Sequence, residues 1–598
     1  MPATPAIAPI SPHHKAIEAY YAELADFHAH YATYEQATRA AFEHLLRAFQ
    51  SLPGWTLLLE QPLANGRRPD GTFRDTFNLP RGYWEAKDTS DDLDAEITKK
   101  LQAGYPTTNI IFEDTRRAVL YQSGRRIDQF DLTDRRALAD LLTAFVGYTE
   151  APHENFYAAV AEFKERVPDL ARGLLERIRQ EHAANNPKFS DAWANFYKVC
   201  RESLDPAMRG ETVDEMLVQH LLTERLFRTV FDNPDFVRRN VIAAEIEKVI
   251  DGLTSRAFNR AEFTRALDRF YLAIEGAAPT DWSEKQAFMN MVYERFFQGF
   301  SVKQADTHGI VYTPQEIVDF MCASVEEVLR GEFNTSLSEP GVQILDPATG
   351  TGSFIANILR RISGINREHK YQHDLFANEI MLLPYYIASL NIEHTYYDLT
   401  DRKQYLPFEG LCFADTLDME GQQMVLFTER NTERVQAEKA AQIMVVIGNP
   451  PYNVGQVSEN DNNKNRKYPV IDGRINATYA KDSAATNMRA LSDAYVKFFR
   501  WATDRLQGRD GIVCYVSNNS FVDQIAFDGM RKHLLQDFTQ IYHLDLHGNV
   551  RQNPKLSGTT HNVFGIQVGV GITIAIHSSA DTERQFFYHR VPEFWRKE

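Results

Sequence analysis

The chain is poor in cysteine. Four residues in 598, Cys200, Cys322, Cys412 and Cys514, lie far apart. They make neither a zinc-ligand spacing nor a disulfide framework, and this fits a reducing cytoplasm. No run of about 18 or more apolar residues occurs, so there is no transmembrane candidate and no membrane partner is expected. The N-terminal MPATPAIAPISPHHK has no charged segment followed by an apolar one, and it does not read as a secretory signal. Basic excess is missing as well. Lys and Arg number 65 against 81 Asp and Glu, a net charge of −16. That excludes a protein that coats nucleic acid indiscriminately, but not one whose cleft shapes a local field. Internal repeats and long low-complexity tracts are also lacking. What is present is an apolar fraction of 43%, sufficient for sizeable cores, and a length suited to three or four domains of roughly 150 residues. Composition alone leaves function open.

The order of patterns along the chain is more informative. Residues 15–50 carry apolar side chains three and four apart, including Phe42, Leu45, Leu46 and Phe49, which predicts helix until Pro53-Gly54. Strand-like runs follow at Thr56–Leu59, Gly82–Ala86, Asn109–Phe112 and Ala118–Tyr121, with a helix over Asp92–Gln102. A small α/β domain is therefore expected over residues 1–150. Residues 151–300 read as an all-helical connector, as in PDLARGLLERIRQEHAANN, without a glycine-rich nucleotide motif or metal spacing. From 301 to 578, VQILDPATG, HDLFANEI, GLCFADTL, IMVVIGNPP, GIVCYVSNN and IYHLDLHG each place an apolar strand before a polar or glycine turn. That rhythm predicts an α/β fold with a doubly wound sheet and its sites at the strand C-terminal ends.

Two of these turns carry chemistry. After Gln343–Leu345 comes Asp346-Pro347-Ala348-Thr349-Gly350-Thr351-Gly352-Ser353-Phe354, then the helical run IANILRRI. Glycines 350 and 352 let the backbone approach a ligand and enter the helix. Such a turn suits several nucleotide cofactors. It lacks the third glycine of a dinucleotide fingerprint and the Lys of a phosphate loop. Asp346 at the strand end suits a cationic amino group. Glu379, in NEI, ends the next strand, where a carboxylate can accept two ribose hydroxyls. Asp415, in FAD, ends the third and can accept from an exocyclic amine. Upstream, Thr313 and Pro314 in GIVYTP precede a helix, for which the simplest reading of Thr313 is an N-cap. After IMVVIG stands Asn449-Pro450-Pro451-Tyr452. Two prolines stiffen the loop and remove two N–H donors. Carbonyl and carboxamide oxygens remain, beside an aromatic ring. This acceptor-rich spot suits a planar amino group, whose nitrogen it would present to an electrophilic methyl without metal or strong base.

In this order GIVYTP, DPATGTGSF, NEI, FAD and NPPY resemble the gamma class of N6-adenine DNA methyltransferases, over about residues 301–578. The resemblance implies a Rossmann-like, S-adenosylmethionine-dependent domain. It implies that Thr313 and Pro314 lie near the cofactor's methionine end. Asp346, Ala348, Gly350, Gly352 and Phe354 line the cofactor, Glu379 holds the ribose and Asp415 reads the adenine. Asn449, Pro450, Pro451 and Tyr452 hold the target adenine, flipped out of double-stranded DNA. The following loop, with Lys464, Arg466 and Lys467, either grips phosphates or is a solvated basic loop.

At the other end, Asp70 in GRRPDG, then Glu85-Ala86-Lys87 on a strand, place two carboxylates and a Lys together, Glu85 and Lys87 on one face. Asp70 and Glu85 suit Mg²⁺, which stabilises the pentavalent phosphate, and Lys87 suits positioning and activating the attacking water. Asp75 rivals Asp70. This pattern resembles the PD-(D/E)xK nuclease fold, Mrr-like branch. The Gln-x-x-x-Tyr pattern of that family is not met, because Gln102 and Tyr105 stand one residue too close.

A nuclease-like domain, a connector and a gamma methyltransferase together resemble the type IIG and type ISP restriction–modification enzymes. Without a phosphate-loop sequence in the connector, ATP-driven translocation is not expected. Both families continue into a target recognition domain. Residues 579–598 read as its beginning, so specificity comes from a missing C-terminal domain or a separate subunit. Three functions are then in play: a bifunctional methylating and cleaving enzyme, a modification-only methyltransferase with an inactive nuclease domain, and a DNA-binding subunit of a phage-defence complex.

Overall fold

In a computed structural model, residues 8–30, 35–50, 52, 54–63, 66–75, 80–148, 156–204, 208–229, 236–253, 268, 271–272, 313–400, 406–419, 429–451, 467–549, 564, 568–581 and 583–592 are described. The chain divides into two compact units, one built on residues up to Gln180, the other on Glu181–Ser255 together with the chain from Pro279 onward.

The first unit is a mixed sheet between helices. Its elements are α1 (Lys15–Ala29), α2 (Glu35–Phe49), β1 (Thr56–Leu59), β2 (Gly71–Arg74), β3 (Pro80–Ala86), α3 (Leu93–Gln102), β4 (Asn109–Glu113), β5 (Arg117–Gln122), β6 (Arg125–Asp131), α4 (Arg135–Val146) and most of α5 (Phe156–Ala183). The strands lie in sequence order. All neighbours are antiparallel except β3 and β4, which α3 joins as a parallel crossover. Asp92 caps α3 by accepting from the N–H groups of Asp94 and Ala95. Side chains alternate across β3. Trp84 enters the core under α1, α2 and α4, while Tyr83 packs with Leu93 and Ile97 of α3. The helical pattern over 15–50 is two helices rather than one. Strands β2 and β6 have no apolar signature, since β2 is four residues with Gly and Arg, and β6 is almost wholly exposed.

The second unit begins with helices α6 (Pro187–Ser203), α7 (Gly210–Thr229), α8 (Phe236–Arg239) and α9 (Val241–Leu253). The helical stretch 151–300 is thus not one body: α5 up to Gln180 goes with the first sheet and α6–α9 with the second. The sheet that follows holds β7 (Gln343–Asp346), β8 (Leu375–Glu379), β9 (Leu411–Phe413), β10 (Ile443–Gly448), β11 (Gly511–Asn518), β12 (Gln540–Asp545), β13 (Val570–His577) and β14 (Gln585–Arg590). Helices α10 (Gln315–Phe333), α11 (Ser353–Arg361), α12 (Leu382–Thr400), α13 (Glu429–Ala440), α14 (Pro469–Ile475), α15 (Ala494–Leu506) and α16 (Asp528–Asp537) accompany it. Its order is β14-β12-β13-β11-β10-β7-β8-β9. Strands β9, β8, β7, β10 and β11 are mutually parallel, and β13 runs against β11 and β12. The sheet reaches past residue 578, because β14 pairs with β12.

Strand β11, parallel to β10 and antiparallel to β13, is buried along its whole length, as a central strand is when helices cover both faces. The chain leaves β7 outward through β8 and β9, then returns to β7's other side as β10. This reversal opens a crevice at the strand C-termini, the place where doubly wound sheets take ligands.

Candidate active sites

At that crevice the strand-end motifs converge. Thr313, Ala348, Gly350, Phe354, Glu379, Asp415, Asn449 and Pro451 line one cleft. Asp346, expected to line the cofactor, does not line the cleft: it is fully buried at the end of β7, one layer behind Ala348. Gly352 and Pro314 shape the cleft without lining it. Gly352 enters α11 at φ +82°, and a Cβ there would lie 3.1 Å from Ala388 and Ile392 of α12. Pro314 stands at the N-cap position of α10. Pro450 is buried in the turn. Tyr452, Lys464 and Arg466 lie outside the described residues.

The buried acids carry charge at a cost. Asp346 Oδ1 accepts the Ala348 N–H (3.2 Å), while the buried Oδ2 meets no donor at bonding distance among the described residues. Burial, with Glu379 adding to it, pushes the Asp346 carboxyl up to about 7, against the Ala348 N–H and the nearby Thr349 hydroxyl. A buried carboxylate oxygen without a donor is where a cationic or hydroxyl-bearing ligand gains most. Glu379 is better satisfied. Its Oε2 accepts from the Gly350 N–H (2.9 Å) and its Oε1 from the Met381 N–H (2.8 Å). Burial still raises it to about 7. The glycine turn at 350 and the acid at 379 are therefore one device: the acid holds the turn, and the turn orients the acid.

Asn449 donates from Nδ2 to Thr313 Oγ1 (3.0 Å). Thr313 thus does more than precede a helix; it fixes the carboxamide, with Oδ1 on the opposite edge. The strand before it is equally constrained. A Cβ on Gly448 would fall 2.6 Å from Asp346 Oδ1. Gly448, which leads into the turn, packs against the Asp346 carboxylate, and Asn449 and Pro451 line the same cleft as Gly350 and Glu379.

The cleft wall is braced by polar bonds that join its lining residues Pro347, Thr351, Asn378 and Thr416 to the helices behind. Asn391 of α12 donates to Thr351 O (2.8 Å). Asn378 donates to Thr416 Oγ1 (3.1 Å) and Glu438 Oε1 (3.2 Å), and Thr416 donates to Pro347 O (2.6 Å). Of these, Asn378 is marked in the sequence only as the neighbour of Glu379 in NEI, and Glu438 on α13 is not marked at all. Farther out, His220 of α7 is buried between Tyr386 of α12 (3.0 Å) and Glu247 of α9 (2.8 Å).

In the first unit, Asp70, Glu85 and Lys87 come together. Asp70 Oδ2 accepts the Ala86 N–H (2.8 Å), the Asp70 N–H reaches Glu85 Oε2 (3.4 Å), and Lys87 Nζ donates to Glu85 Oε1 (2.9 Å). Burial, then the charge of Glu85, raises the Asp70 carboxyl. Asp75 is elsewhere, paired with Arg81 (2.7 Å). Two further cations join the cluster without any motif to announce them. Arg39 of α2 pairs with Asp70 (3.0 Å), and Lys100 of α3 bonds Glu85 and Tyr105. Burial alone would lower the Lys100 ammonium, but its bonds to Glu85 and Tyr105 outweigh this and hold it raised. The oxygen-only donor pair Asp70 and Glu85 fits a hard divalent cation with water completing the shell. Among the described residues no cluster of three metal-ligating side chains occurs.

All four cysteines are buried and free. No helix among the described residues is long and apolar enough to cross a membrane.

The profile of the type ISP restriction-modification enzyme coupler domain matches residues 160–281, and that of the N-6 DNA methylases residues 284–536. The chain is similar to the DrdV–DNA complex at 39% identity and TM-score 0.67, over 98% of this chain and 58% of that one. It is similar to the ATP-dependent type ISP restriction-modification enzyme LlaBIII bound to DNA at 30% identity and TM-score 0.66, over 76% and 31%. For a nuclease-deletion mutant of the type ISP enzyme LlaGI with a DNA substrate mimic the values are 30% and 0.63, over 76% and 37%. The chain therefore spans 58% of the DrdV chain and about a third of the other two. No curated protein matches it. Residues 160–281 are thus a type ISP coupler domain, and residues 284–536 an N-6 DNA methylase domain.

Proposed function

We propose that the chain is a DNA restriction–modification enzyme that transfers a methyl group from S-adenosylmethionine to adenine N6. The observation that carries this is the shared wall between the Asn449–Pro451 turn and the Gly350–Gly352 cofactor turn. Bound in the cleft, the cofactor supplies an electrophilic methyl group. Asp346 and the Gly350 turn would hold its amino-acid end, Glu379 its ribose and Asp415 its base. Asn449, pinned by Thr313, and the Pro450 carbonyl accept the two hydrogens of the target's amino group, which favours a pyramidal nitrogen with its lone pair turned toward the methyl. Tyr452 is assigned to stack on the flipped base. Unstacking that base costs a few kcal/mol, which stacking partly offsets. Double-stranded DNA as substrate is supported by the DNA-bound relatives. Sequence choice is assigned to a target recognition domain or a separate specificity subunit, and the compartment to the cytoplasm.

The test is transfer of labelled methyl to DNA, with N6-methyladenine identified in the digest, for the chain alone and with candidate specificity partners. DNA that stays unlabelled while the protein binds the cofactor would reject the assignment of substrate.

The Asp70, Glu85 and Lys87 cluster supports a second activity, hydrolysis of a DNA phosphodiester. The two carboxylates would hold Mg²⁺, which stabilises charge on phosphate oxygens, and Lys87 would position the attacking water. One observation favours the modification-only alternative: Arg39, Lys87 and Lys100 already neutralise both acids. Nicking of supercoiled plasmid with Mg²⁺ separates the two.

A further inference from the structure

Tyr468 stands two residues beyond the stretch left undescribed after Pro451, at the N-cap position of α14. Its hydroxyl donates to Asp415 Oδ2 (2.9 Å), while the Leu417 N–H holds Oδ1 (3.0 Å). The ring is set from several sides. The Tyr468 N–H donates to Asp472 Oδ2 (2.8 Å), and the Asp472 N–H donates back to the Tyr468 carbonyl (2.8 Å). Lys497 of α15, 3% exposed, pairs with Asp472 (2.7 Å) and stands 4.9 Å from the ring centroid. A cation over a phenol face withdraws electron density and makes its O–H a better donor. The framework around the ring thus delivers a fixed donor to one carboxylate oxygen.

We propose that Tyr468 is a positioning residue for nucleobase recognition: by fixing Asp415 Oδ2, it makes this carboxylate read the exocyclic amino group of the cofactor's purine. This rests on the methyltransferase reading above and deepens it, by naming what enforces an amino-purine over an oxo-purine. A carboxylate is acceptor-only and each oxygen accepts two hydrogen bonds. A donor on one lobe of Oδ2 leaves the geometry of the other lobe defined. An amino group is then a partner, and a 6-oxo group meets a fixed negative oxygen. Without the phenol, the carboxylate can rotate about its own bond and the amino group loses its aligned acceptor, whereas a 6-oxo group meets an acceptor-only carboxylate in every orientation and gains nothing. The residue acts on the base end of the cofactor rather than on the transferred methyl, so its removal should move cofactor affinity and selectivity and leave turnover at saturation near its original value.

The experiment is calorimetric titration of the full chain with S-adenosylhomocysteine and with its 6-oxo (inosine) counterpart, alongside methylation kinetics. The unsubstituted chain should prefer the amino-purine at least tenfold. Tyr468→Phe should bind it about five- to tenfold more weakly, bind the 6-oxo compound within twofold of before, and keep kcat within about threefold. Equal loss of both affinities, or no loss of either, overturns the proposal. If the unsubstituted chain binds neither compound, the methyltransferase reading falls first and the inference with it; binding of both with unchanged selectivity in Tyr468→Phe sinks the inference alone. Should Tyr468→Phe not fold, fluorotyrosine at 468 keeps the shape and changes only the donor's acidity. The ratio of the two affinities must then shift, and an unshifted ratio counts against the proposal.

Discussion

The two candidate sites are built in opposite ways. The cleft of the methylase domain takes its walls from residues scattered between Thr313 and Phe498, and only the fold brings them together. Its acids are buried: Glu379 in the wall and Asp346 behind Ala348 are both pushed up to about 7 by burial, and Asp346 has an oxygen with no donor among the described residues. The acids of the first unit sit where β2 begins and β3 ends, and Arg39 of α2, Lys87 and Lys100 of α3 neutralise them. One site is prepared to receive a ligand and holds unmet demand. The other is already balanced, and any divalent cation must displace an ammonium group to enter.

This contrast can be broken by substitution. The largest expected effect is that of Asn449→Ala. It removes the acceptor and frees Thr313, and methyl transfer should fall by roughly a thousandfold, the scale of losing a preorganised polar group at a reacting atom. Cofactor affinity should change by less than about threefold, since other residues hold the cofactor. A variant that keeps a tenth of its transfer rate would mean the turn is not the acceptor site. Next, Lys87→Ala should lower Mg²⁺-dependent plasmid nicking by roughly a hundredfold, the scale typical of a positioned acid–base or water-orienting group, while methylation stays unchanged. Chelation by EDTA should do the same. Nicking that survives both changes would be falsifying for the Asp70, Glu85 and Lys87 assignment.

The pH response sharpens the comparison further. The Asp346 and Glu379 acids sit at about 7 in the ligand-free cleft, above the ordinary carboxylate range near 4. A ligand that needs them ionised must expel their protons, so binding tightens as pH rises. Between pH 6 and 8 each acid contributes up to about tenfold in cofactor affinity. The same shift works against the ligand-free fold. The folded chain keeps protons that the unfolded chain has released, so these two acids favour folding at low pH, and that contribution declines from about pH 4 to 7. Calorimetric titration across this range, with the unfolding midpoint followed in parallel, checks both signs; an affinity that does not change with pH would show the acids ionised from the start.

The smallest effect concerns the coupler. His220→Ala leaves Tyr386 and Glu247 without their common partner at a buried position, a loss of about 1–3 kcal/mol. Unfolding of the second unit should come a few degrees earlier, and cofactor binding should weaken modestly through α12, which carries Asn391 to the Thr351 carbonyl. Nicking by the first unit should not respond. Differential scanning calorimetry with both assays on one sample would show whether the distinction holds.

What could be read from the sequence follows the same division. Thr56–Leu59 is delimited correctly by its residues because a short apolar run closed off by turn formers at both ends has room for a strand and for little else. The strand-end acids are legible because each closes an apolar strand. β6 and β14 are not, since both are exposed sheet edges without alternation, RRIDQFD and QFFYHR. Lys100 is hidden because a Lys on a polar helix resembles any solvated cation. Tyr468 is hidden at the end of a basic loop whose charges suggest phosphate; only the fold carries it to Asp415, 53 positions away.

Gly448 has a consequence for anyone seeking to alter this enzyme. The residue immediately before Asn449 has no room for even one methyl group, because the Asp346 carboxylate fills that space. On the proposed reading, libraries that diversify the loop to accept another base must start at position 449 and leave 448 untouched; otherwise every new acceptor arrives with the Asp346 carboxylate pushed aside, and the screen discards it for the wrong reason.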